Sequence, residues 1–99
     1  MGLYAVIRTH GPARNRALSL EQQPDWDAHA RFMNGLQDEG LIVLGGPLEE
    51  SSDVLLIFEA AGPGQIRNRL QDDPWTKSDL LRISRISPWT LRLGSLREP

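Results

Sequence analysis

Short apolar runs with an alternating period are separated along this chain by stretches with a helical period. "LYAVIRT" (3–9) is β-rich and alternates across the pleat, which predicts a strand. "HGPARNRALSLEQQP" (10–24) has neither period and is rich in Gly, Pro, Ser and Arg. It predicts a long loop of the kind that carries binding residues or stays disordered. "DWDAHARFMNGL" (25–36) begins an amphipathic helix, with Asp25 after Pro24 as its N-cap. Trp26, Phe32, Met33 and Leu36 share one stripe, and Gly40 suits the C′ position of a helix ending near Glu39. "LIVLGG" (41–46) predicts a buried strand ended by Gly45-Gly46-Pro47; "EESSD" is a polar turn, and "VLLIFEA" (54–60) a third strand. Pro63 opens a second helix at its first position, with Ile66 and Leu70 inward. Pro74 stops that helix near Asp72, because it pushes Asp73 out of the α region. "LLRISRI" (80–86) predicts a fourth strand, followed by Pro88-Trp89, and the tail "RLGSLREP" reads as an edge extension or a frayed end.

The order is β-α-β-β-α-β in one domain spanning 1–99. With right-handed crossovers it predicts an α+β, ferredoxin-like fold: a four-stranded antiparallel sheet with both helices on one face. In "LIVL" and "VLLIF" both sides of the pleat are apolar, yet the helices cover only one. An uncovered apolar face of roughly several hundred Å² exceeds what monomers usually expose. The expectation is a homodimer packed sheet against sheet about a two-fold axis.

His29 interrupts the apolar stripe of the first helix, in a chain with only 2 histidines. Topology places it near the carboxyl end of the first strand, where the second helix also ends. Asp73 follows that helix, so the imidazole and the carboxylate are expected at one end of one layer. A carboxylate beside an imidazole selects one tautomer and strengthens it as a general base. The same rim takes in Arg8, Thr9, His10, Gly45-Gly46-Pro47 and Trp75, with Arg14 and Arg16 from the long loop. Each residue also has a plainer reading. His29 could bond a backbone carbonyl at the core edge, and Asp73 could only make a turn before proline. Arg8 shares a strand face with Tyr4 and Val6 and is open to a dimer salt bridge or an anion. His10, Arg14 and Arg16 also read as loop residues, and Trp75 and Trp89 as structural aromatics.

Net charge is −2, without a basic block or interleaved aromatics, which argues against nucleic acid. No apolar run approaches a membrane span, no secretory signal is visible, and cysteine is absent. A cytoplasmic location is expected. Gly45-Gly46 lacks any phosphate-loop context, the serines lack a nucleophile elbow, and the histidines and carboxylates have no metal-ligand spacing. No metal or cofactor is expected.

The chain also resembles the YCII-related family of small dimeric α/β-barrel proteins, relatives of muconolactone-isomerase-like folds. The resemblance lies in "HARFMNGLQDEGLIVLGGPL" (29–48) and "DDPWTKSDLLRISRISPW" (72–89), where His29, Gly40, Gly46-Pro47 and Asp73-Pro74-Trp75 follow the family order. It implies a His-Asp pair at His29 and Asp73, and cofactor-free elimination or isomerisation of phenolic or lactone-type molecules. The chain departs from the family at Ser87, where an arginine is common, and in its longer, arginine-rich 10–24 loop.

Two functions follow as expectations. One is a cofactor-independent isomerase or lyase using His29 and Asp73, with Arg8, His10, Gly46, Pro47 and Trp75 around a small carbonyl or phenolic substrate. The other is a dimeric small-ligand-binding or accessory module without chemistry. A monooxygenase-like use of the same barrel has no distinctive residue in its favour.

Overall fold

The computed structural model describes residues 1–95. Its elements are β1 (Gly2–His10), α1 (Trp26–Asp38), β2 (Ile42–Pro47), β3 (Asp53–Ala60), α2 (Pro63–Leu70), α3 (Pro74–Lys77) and β4 (Leu81–Trp89). The strands form one antiparallel sheet in the order β2-β3-β1-β4, the ferredoxin-like arrangement. No described helix is long and apolar enough to cross a membrane.

Pleat alternation sorts the side chains. Val6 of β1 pairs with Leu56 of β3 and Ile86 of β4, and Tyr4 with Phe58. These residues pack with Leu36 of α1 and with Ile66 and Leu70 of α2 in the main core. A second cluster forms at one end, where Trp75, Leu80 and Leu81 meet Leu20 and Trp26. The opposite face of the sheet carries Leu3, Ala5 and Ile7 against Leu55, Ile57 and Glu59. Leu44 pairs with Ile57 and Trp89 with Leu3 on that face, and both Leu44 and Trp89 are exposed.

Several local expectations are corrected. Asp25 stands before α1, but its φ of 63° is left-handed and its side chain makes no capping bond. Aspartate tolerates that conformation, and its carbonyl still accepts from His29 N at 2.9 Å. The expected helix end near Asp72 falls at Leu70, after which the chain tightens into bonds from Asp72 N to Arg69 O and Asp73 N to Leu70 O. Pro74 then starts a further short helix, α3, because proline is well suited to a first helical position. The fourth strand continues through Pro88 to Trp89 at the edge of the sheet, where a missing N–H costs nothing. The 10–24 loop is ordered around buried Gln23, whose amide donates to Asn15 O and Leu18 O while accepting from Asn15 N. The tail "RLGSLREP" lies partly outside the described residues and through Ser95 forms no strand.

Gly11 joins this loop to the sheet, donating to Leu80 O at 2.8 Å. A Cβ at this position would stand 2.1 Å from the Asp79 carbonyl oxygen. Gly11→Ala is therefore expected to cost about 1–3 kcal/mol in urea denaturation, as overpacking against an inflexible neighbour does.

Candidate active site

The seam between the two apolar clusters holds a buried polar group. Asp73 has no exposed surface. Its Oδ1 accepts from the Trp75 backbone N–H at 3.0 Å, which caps α3, and lies 2.8 Å from His29 Nδ1. Its Oδ2 accepts from Arg8 Nη1 at 2.8 Å. One carboxylate thus both starts a helix and lies against the imidazole. Burial alone would raise the Asp73 pKa, but the bonds from His29 and Arg8, the His29 charge and the Trp75 N–H outweigh it. The net effect holds the carboxyl below its ordinary 3.8.

An ionised carboxylate only accepts, so His29 Nδ1 must be the donor and carry a proton. In the neutral ring the lone pair is then on Nε2, which has no hydrogen-bond partner among the described residues. The imidazole is stacked on buried Trp75, with centroids 3.9 Å apart and planes at 9°. Trp26 leans on both rings, and Trp75 Nε1 donates to Pro24 O at 2.7 Å. The ring is therefore fixed in both plane and tautomer. A histidine on an apolar helical face is accommodated because its partners are aromatic faces and one carboxylate.

Arg8 does not turn outward to a dimer contact. It is 1 % exposed, bonded to Asp73, and donates through Nη2 to Thr76 Oγ1 at 2.7 Å. Thr76 in turn donates to Leu70 O, tying α2 to α3. A bulge in β4 opposite Ile7 and Arg8 shifts the register at this point. Arg8 Nε is buried with no acceptor among the described residues.

Arg8, His29, Trp26, Trp75 and Pro47 line a partly enclosed cavity of about 140 Å³ whose other walls include Met33 and Leu56. Gly46 lies on an adjoining open groove instead. His10 lines neither space. It is half-buried beside Arg14, whose Nη1 lies 2.6 Å from its Nε2. Burial, then the Arg14 and Arg16 charges, lower its pKa from the ordinary 6.5 against the opposing effect of Asp53. Among the described residues no three His, Asp or Glu side chains gather to hold a metal ion. Sequence reasoning misses two participants. Thr76 is lost with α3, although Asp-Pro is a helix-start signal in its own right. Trp26 stands one turn from His29 on the same stripe, a position that signals core packing.

No family model and no curated protein matches the chain. Among solved structures it is similar to a 5-chloro-2-hydroxyhydroquinone dehydrochlorinase (TftG) from Burkholderia phenoliruptrix AC1100, in complex with 2,5-dihydroxybenzoquinone. The TM-score is 0.62 at 21 % identity, over 93 % of this chain and 95 % of that one. The likeness establishes a shared fold.

Because the Asp73 pKa is lowered on folding, its contribution to stability is present above the unfolded carboxyl's 3.8 and is lost as pH falls through the folded value. Asp73→Asn should cost about 3–5 kcal/mol at neutral pH, since it leaves Arg8 buried and uncompensated. Urea titrations of both proteins below pH 3.8 should show that difference shrinking.

Proposed function

We propose that this chain is a cofactor-independent enzyme in which His29 Nε2 is the general base for isomerisation or elimination on a small carbonyl or phenolic substrate. The observation that carries this reading is the Asp73 bond to His29 Nδ1, which leaves the basic nitrogen unpartnered on a ring that lines a partly enclosed cavity. Asp73 orients the imidazole and stabilises the imidazolium formed when a proton arrives. In elimination the substrate's C–H or O–H bond breaks, the proton goes to Nε2, and the freed electron pair expels the leaving group. In isomerisation the imidazolium returns the proton at another atom.

Arg8 lines the cavity, and its part in this reading is to hold the Asp73 carboxylate in place beside His29 through Nη1. Trp26 and Trp75 supply flat walls for a planar ring, and Pro47 closes the cavity from β2. The dehydrochlorinase activity named for TftG, and the oxygenated ring in its complex, favour elimination on a substrate of this type. His10 has its imidazole engaged with Arg14 and takes no part in the proton transfer in this reading.

We further propose a homodimer through the uncovered sheet face, where Leu3, Ala5, Ile7, Leu44, Leu55 and Trp89 form an apolar surface. Arg82 and Arg85 of β4 and Asp53 and Glu59 of β3 stand on the same face, so that a two-fold arrangement can pair unlike charges.

Deuterium exchange from solvent into hydroquinones and small lactones, followed by NMR, tests the base without a known substrate. His29→Ala should slow exchange by at least about 100-fold, and a loss under about threefold would exclude His29 as the base. Sedimentation equilibrium at micromolar concentration should give twice the chain mass of 11.1 kDa, and a species of 11.1 kDa would refute the dimer.

A further inference from the structure

The cavity beside His29 adjoins a larger space and shares part of its wall. Trp26, His29, Met33 and Leu56 line both the enclosed pocket and an open groove of about 550 Å³ between α1 and β2. The enclosed part, about 140 Å³, is one ring in size; an engineered protein cavity of about 150 Å³ admits benzene. A substrate larger than one ring has to extend into the groove.

The groove walls state what kind of extension fits. His29, Met33 and Gln37 follow one another down α1 at a spacing of four residues, with Asn34 in the adjacent row. At the helical rise, His29 to Gln37 spans about 12 Å. The facing wall is β2, the outermost strand, running from Ile42 to Gly46. Gly45 lies against Leu56, where a Cβ would meet Cδ2 at 2.6 Å. Apart from the His29 imidazole, no lining residue is ionisable. The Asn34 and Gln37 amides are exposed and have no partner among the described residues.

Resting on the reading of His29 as a base, we propose that this groove is a second compartment of the same site. It takes an uncharged, hydrogen-bonding extension of the substrate, held by Asn34 and Gln37 while the ring occupies the cavity. The lining offers no counter-ion to a charged extension, so a charge there gains no ion pair. The two amides offer both donors and acceptors, and so match an amide, ester or hydroxyl. Asn34 and Gln37 are thus specificity-determining residues, distinct from the groups that move the proton.

Phenol, N-acetyltyramine, tyramine and para-hydroxyphenylpropionate serve as probes, with binding read from the fluorescence of Trp26 and Trp75 on the cavity wall. N-acetyltyramine, the uncharged member with an extension, should bind about tenfold tighter than phenol, as two modest hydrogen bonds allow. The cationic and anionic members should show no such gain. In the double variant Asn34→Ala, Gln37→Ala the affinity ratio of N-acetyltyramine to phenol should fall close to unity. A ratio near unity in the wild type, or one unchanged in the double variant, overturns the proposal; so does an equal gain for tyramine or the propionate. If phenol binds while the extension adds nothing, the groove proposal fails and the His29 reading stands. If no ring compound binds at all, the groove proposal fails together with the phenolic form of the His29 reading.

Discussion

The structure depends on a carboxylate that water does not reach. Asp73 sits between two apolar clusters and is bonded to residues from β1, α1 and α3. A lone charge there would be prohibitively expensive. The Arg8 guanidinium offsets the charge, and the hydrogen bonds from His29 and Trp75 satisfy the remaining lone pairs. Such an assembly adds little net stability over a well-packed apolar substitute, whereas removing one member is costly. What it contributes is position: with every member bonded, Arg8, His29 and the start of α3 have one arrangement relative to each other.

Aromatic packing completes what the carboxylate begins. Asp73 determines which imidazole nitrogen carries the proton, and Trp75 determines the plane in which the ring lies. Trp75 is itself tethered through Pro24 O to the end of the long loop, whose shape rests on Gln23. The loop therefore reaches the site through backbone and side-chain bonds, not through its arginines. Together these contacts hold the imidazole in one plane and one tautomer.

Much of this is legible in the residue pattern. Alternating runs mark the strands, Gly40 and Pro63 mark helix limits, and both glycine and proline take the expected roles. The meeting of His29 and Asp73 follows from connectivity, because a βαββαβ chain brings the start of one helix and the end of the other to the same edge. The departures are local. Pro74 signals a stop for the helix before it, but the same residue opens α3 and so brings Thr76 to Arg8. Asp25 fits the statistics of a cap, yet its left-handed backbone turns the side chain away from that task. Pleat alternation assigns Arg8 to a face, but the strand alone does not name its partner.

Periodicity and punctuation in the sequence determined the order of the four strands and two longer helices, the sheet topology and the end of the fold at which an imidazole and a carboxylate converge, since these follow from short-range sterics and handedness. Only the tertiary structure decided that Arg8 would share that carboxylate, that Trp75 would stack on His29, and that a ring-sized cavity would open beside them. Those outcomes depend on distances of a few ångströms between residues far apart in the chain, and the one-dimensional pattern carries no measure of such distances.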